Sequence, residues 1–160
     1  MDNIEYIKYT FIHRKIVIYL ANRYKIQDKK ILEQIRKHDL DKMFMYLFYT
    51  KKNVSKIHRK LSSHHDNEIE KNHADYIEMV LDWESARYTK SDKPLNAYDT
   101  LYKYYPQLEE QILPILKEFK IDKTNMMMED DVLNYAKSIK DVSISEIKKE
   151  LHEYIDYILK

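Results

Sequence analysis

Glycine is absent from all 160 residues of this chain. Glycine supplies the positive φ angles of tight hairpin turns and phosphate-cradling loops. Its absence argues against a β-barrel, a sandwich, a Rossmann domain and a P-loop enzyme. Cysteine is absent too, which removes disulfides and thiolate zinc sites and suits a reducing cytoplasm. Only three prolines occur, so helices can run long. No apolar run approaches the roughly 18 residues a membrane span needs, and the opening MDNIEYIKYTFIHRK lacks a signal peptide's order of parts. Net charge is small as well. The 28 Lys+Arg nearly cancel the 27 Asp+Glu, leaving no global pull towards nucleic acid or an anionic membrane. The expectation is a cytoplasmic protein without membrane contact.

What is present is helical periodicity. The fold class expected is all-α, a compact helical domain of about six to eight helices with no sheet. Ile4, Ile7, Phe11, Ile12, Ile16, Tyr19 and Leu20 recur at spacings of three and four, predicting an amphipathic helix over about 3–24. QDKKILEQIRKH predicts a second helix capped by Asp28. LDKMFMYLFYT reads as a short, deeply buried third helix. Asn53 or Ser55 is placed to cap VSKIHRKLSSHH, and a long helix is expected over about 68–89. Further helices are expected to open at Pro94 and Pro106, where proline's missing N–H costs nothing, while Pro114 should kink or break the second of them. DKTNMMMEDD is the clearest loop, and Ser143 and Glu146 stand at capping-box spacing before a final helix.

The chemistry concentrates in the first half, which holds six of the seven histidines: His13, His38, His58, His64, His65 and His73. Imidazole nitrogens and carboxylate oxygens are ligands for divalent metals, and four or five must converge from separate helices. His38 and Asp39 are adjacent, about 100° apart around a helix, so both reach one ion only where the backbone bends. Lys42 lies four residues beyond His38, one turn along, where it can meet an anion. Asp82, between Leu81 and Trp83 in an apolar helix, needs a cation or several hydrogen bonds if buried. His58 is a second-tier ligand candidate, seven residues before His65. Glu78 and Asp75 extend an acidic stripe from Asp82, and His73 and His152 read as surface residues. Each ligand has a plainer reading: His13 as a satisfied core histidine, His38–Asp39 as a helix junction with a cap, His64–His65 as a solvated turn.

The order His13, HDLDK (His38, Asp39, Lys42), HH (His64, His65) and Asp82 in EMVLDWES resembles the HD superfamily of metal-dependent phosphohydrolases. The chain departs from the superfamily's frequent pattern at Asp41, where a glycine is common. KHDLDK, HRKLSSHH and EMVLDW together also resemble a family of small bacterial and phage helical proteins with KHDLSK, HH and DW motifs and no assigned activity. The resemblance covers about residues 10–90. It implies an HD-like helical metal-binding domain over 1–120, with 121–160 as a C-terminal helical extension packed on it.

The resemblance implies a divalent ion (Mn, Fe, Co, Ni, Zn or Mg), or a close pair, held by His13, His38, Asp39, His64, His65 and Asp82. Asp39 and Lys42 would be catalytic, with Lys42, Arg59 and Lys60 holding a phosphate. Asp39 is the base the resemblance implies; Glu68 and Glu78 are other candidates. The activity implied is metal-dependent hydrolysis of a phosphoester, most naturally a nucleotide. The partner expected is that small phosphorylated substrate, with no membrane and no specific nucleic-acid binding; pairing with a second copy stays open. Two rivals are a non-catalytic helical interaction protein with a structural or vestigial metal site, and a redox-active metal protein.

Overall fold

In the computed structural model, which describes residues 2–160, all regular structure is helical. The helices are α1 (Asn3–Arg23), α2 (Lys29–Arg36), α3 (Leu40–Met45), α4 (Lys51–Leu61), α5 (His73–Thr89), α6 (Ala97–Tyr104), α7 (Glu109–Glu118), α8 (Asp130–Ser138) and α9 (Ile144–Leu159). A 3-10 turn, Pro106–Leu108, leads into α7. Eight of the nine have eight or more residues; α3 has six. The class is all-α.

Most helix starts follow capping chemistry. Asp2 and Asn72 form reciprocal capping boxes with Glu5 and Asp75, while Asp28, Asn96 and Ser143 each accept a backbone N–H of the first turn. Several starts differ from the sequence expectation. Thr50, rather than Asn53 or Ser55, caps α4. The fifth helix begins at 73, because residues 62–72 form an irregular connection. Asn96 opens α6, leaving Pro94 outside the helix. Pro114 lies within an unbroken α7; the carbonyl it leaves without a partner belongs to exposed Glu110, where water can take it. In the third helix only Leu40 and Met43 are buried, and the following Leu47, Phe48 and Tyr49 are exposed. α8 has no side-chain cap and buries only Val132 fully, so the sequence gives it little signal.

Two apolar clusters share α1. Ile16, Val17, Leu20 and Ala21 pack with α5, α6 and α7 through residues such as Leu81, Leu101 and Leu116. Nearer its N-terminus, Ile7 and Phe11 pack with Leu40, Met43, Val54, Val142 and Ile147 of the α3, α4 and α9 region. Between them on α1 stand His13 and Arg14, both buried. α1 and α5 run antiparallel, since Tyr9 meets Thr89 and His13 meets Asp82. Segment 121–160 lies against this body: α8 contacts α1 and α5, and α9 contacts α3 and α1.

Candidate metal centre

The turn between α2 and α3 builds the centre. After Arg36 the chain passes through His38 to Asp39, whose φ of 57° is in the left-handed region. Aspartate tolerates that conformation better than most side chains, at a cost of roughly 1 kcal/mol. The bend brings neighbouring side chains to one point: His38 Nε2 lies 3.5 Å from Asp39 Oδ2. On a continuous helix they would diverge by about 100°.

Two groups of ligand atoms meet at Asp39. On its Oδ2 side, His13 Nε2 is 2.7 Å from Asp82 Oδ1 and 4.0 Å from Asp39 Oδ2. His38 Nε2 is 3.3 Å from His13 Nε2 and 3.2 Å from Asp82 Oδ1. On the Oδ1 side, His58 Nε2 lies at 2.8 Å, His64 Nε2 at 3.3 Å, and the two nitrogens are 3.2 Å apart. His65 packs beside both, its ring tilted to His64 at 4.4 Å and edge-on to His58 at 4.9 Å. Ligands about 2.0–2.1 Å from a tetrahedral ion stand about 3.3 Å from one another, so these separations fit.

The outward nitrogens explain the inward ones. His38 Nδ1 and His64 Nδ1 both donate to Glu78 Oε2 at 2.7 Å, and His58 Nδ1 donates to Asp41 Oδ2 at 2.7 Å. A carboxylate on Nδ1 fixes the neutral tautomer whose Nε2 is a bare lone pair, the arrangement that supports metal-binding histidines. Three such lone pairs then face carboxylate oxygens and each other, which is repulsive unless a cation or protons intervene. Among the described residues, Asp39 Oδ1 is buried without an aligned hydrogen bond, as is His13 Nδ1.

Titration in the protein alone shows the same demand. Burial opposes charge at Asp39, Glu78 and Asp82, yet neighbouring histidines hold all three below the usual carboxylate range, Glu78 at about 2. Burial likewise opposes the charged histidines, but these carboxylates outweigh it. They raise His58 and His64 above the ordinary value and His38 to about 9. Burial instead lowers His13, and lowers His65 to about 3, so both stay neutral. The three carboxylates and the three imidazoles each favour the other's charged form, a demand that divalent ions would meet in place of protons.

Of the sequence candidates, His13, His38, Asp39 and Asp82 converge, and His64 and His65 join on the far side of Asp39. Lys42 Nζ is 3.9 Å from Asp39 Oδ2. Arg59 and Lys60 are exposed on α4, and their side chains make no hydrogen bond or ion pair among the described residues. Glu68 is exposed on the 62–72 connection. Glu78 accepts from two histidines and so is engaged on the side of the centre away from their Nε2 atoms. Arg87, five residues after Asp82 on the same helix, pairs with Glu84 at 3.4 Å. Reasoning from sequence underrated His58 and missed Asp41 as its support. The available signal was position: Glu78 precedes Asp82 by one helical turn, and Asp41 stands two residues after Asp39. A cleft of about 420 Å³ between α2 and α9 reaches Asp39, Asp41, His64 and Glu78.

No family model matches the chain, and neither a curated protein nor a solved structure matches it significantly.

Proposed function

We propose that the centre binds a close pair of divalent ions sharing Asp39 and hydrolyses a phosphoester, most naturally a nucleotide. The observation that carries this reading is the set of three histidines whose Nδ1 atoms rest on carboxylates while their Nε2 atoms crowd Asp39 and Asp82. The ordered resemblance to HD phosphohydrolases supports it. His13, His38, Asp39 and Asp82 would hold one ion, and Asp39, His58, His64 and His65 the other. Divalent ions in such a cage supply Lewis acidity and lower the pKa of water. Glu78 and Asp41 hold the imidazoles in register, and Lys42 neutralises charge developing on the phosphoryl group. The side chain of Asp82, 18% exposed, is the most open carboxylate among the ligands.

Elemental analysis of protein purified without chelator, beside a His38→Ala, Asp39→Ala double variant, tests this. Near-stoichiometric Mn, Fe, Co, Ni or Zn in the wild type and none in the variant is the expected result. It is followed by release of phosphate from phosphoester substrates. Absence of metal even after adding Mn²⁺ back, with no thermal shift, would overturn the reading. A second reading, an interaction protein with a structural site, is favoured by apolar side chains exposed together near the end of α9: Tyr157, Ile158 and Leu159. Bound metal without turnover of any phosphoester would select it. A redox centre is separated by metal identity.

A further inference from the structure

The seam between α1 and α5 continues past the metal ligands to a cation without a counter-ion. His13 and Asp82 meet at 2.7 Å. One turn nearer the start of α1, about 6 Å along, Tyr9 Oη lies 3.0 Å from Thr89 Oγ1, seven residues after Asp82. Lys90, which ends α5, places its Nζ 5.1 Å from the centre of the Tyr9 ring. Lys90 is half-buried, and its ammonium makes no ion pair with a carboxylate among the described residues. Burial disfavours its charge most. The ammonium of Lys42 then does so more strongly than any other neighbour, ahead of the opposing pull of Asp82. Asp92 and Lys93 of the following turn are exposed. Lys42 thus stands against Asp39, and Lys90 lies over an aromatic face one turn of α1 from His13.

We propose that Lys90 and the Tyr9 hydroxyl form a second anion subsite beside Lys42, so that the centre prefers a substrate with two linked phosphates to one with a lone phosphate. The inference rests on the metal-hydrolase reading and specifies its substrate class. In the reaction, the oxygen of water forms a bond to the phosphorus beside Asp39 and Lys42. The bridging P–O bond breaks and its electron pair leaves on the second phosphate, where Lys90 is. The two protons of water end one on each product.

The test uses the Mn²⁺-loaded full chain and two non-hydrolysable probes, methylenediphosphonate and methylphosphonate, with affinities measured by calorimetry. A charge-assisted contact implies that the wild type binds the diphosphonate at least about ten-fold more tightly. Lys90→Gln should bring that ratio close to one, Lys90→Arg should keep it, and Tyr9→Phe should reduce it partly, with Mn²⁺ content and Tm unchanged in all. Wild type holding Mn²⁺ without the preference, or Lys90→Gln retaining it, overturns the subsite alone. Wild type that binds no Mn²⁺ overturns the metal reading and the subsite with it.

Discussion

Asp39 carries two structural burdens that pull against each other. Its backbone is in a conformation that glycine or asparagine would adopt more cheaply, and its side chain must be an anion with both oxygens facing imidazoles. Glu78 plays the complementary part from behind, accepting from two rings with one oxygen while Gln34 Nε2 donates to the other at 2.9 Å. Glu78→Gln substitutes an amide whose Nε2 cannot accept and whose single oxygen is uncharged. It should weaken Mn²⁺ binding about 10–100-fold, read by competition with a chromogenic chelator. An unchanged affinity would mean that the histidines are oriented by packing alone. A pH dependence belongs at this scale too. His38 is raised from 6.5 to about 9 in the folded protein, so the protonated ring contributes stability in full below 6.5. That contribution disappears as pH rises through about 9. In chelator-treated protein Tm should therefore fall across that window, and Mn²⁺ loading should flatten the slope, because the ion replaces the proton. A flat profile without metal would show that His38 is neutral throughout.

At the scale of elements, the lack of glycine shows its cost at helix ends. After α1, Lys25 N–H donates to Asn22 O and Ile26 N–H to Ala21 O; after α7, Lys120 donates to Lys117 O and Ile121 to Leu116 O. Both are Schellman ends, which place a left-handed residue just past the helix, usually glycine. Here exposed lysines take that place, at φ of 61° and 59°. Lys25→Gly and Lys120→Gly should each stabilise the fold by about 0.5–1 kcal/mol, measured by urea unfolding; destabilisation would mean that the lysine side chains contribute through contacts. The same motif shows why a chain without glycine can still turn: a residue other than glycine pays steric strain that the helix-end hydrogen bonds offset. Helices with strong apolar periodicity and an Asp or Ser cap, such as α2 and α9, are legible in the sequence. α8 is not, because it buries only Val132 fully and its position depends on Tyr19 stacking on Tyr135 and on Arg23 pairing with Asp131.

Across the whole molecule, α9 is tied to the turn that carries His38 and Asp39 by a buried network. Arg14 Nη1 donates to Glu150 Oε2 at 2.8 Å, Lys15 also pairs with Glu150, and Arg14 reaches the carbonyl of Arg36 at the end of α2. Glu150→Ala would leave the buried Arg14 charge without its partner and should cost about 3–5 kcal/mol, read as the midpoint of urea unfolding. A loss below about 1 kcal/mol, the range of exposed pairs, would show that α9 rests on apolar contacts alone.

Composition and periodicity dictate the all-α class here, because they act locally: missing glycine disfavours tight hairpin turns, and i, i+3, i+4 apolar spacing buries one face of each helix. The order His13, His38–Asp39, Asp82 is readable as candidate metal chemistry for a related reason, since residue type and adjacency limit what such a pair can do. The partnerships of His58 with Asp41, and of Glu78 with both His38 and His64, arise only in tertiary structure. They join residues 17 (His58 with Asp41), 14 (His64 with Glu78, 78 − 64) and 40 (His38 with Glu78) positions apart in the chain, and a single left-handed residue sets the direction in which two of the candidate ligands point. No local pattern encodes that meeting; packing of two apolar clusters on either side of His13 brings it about.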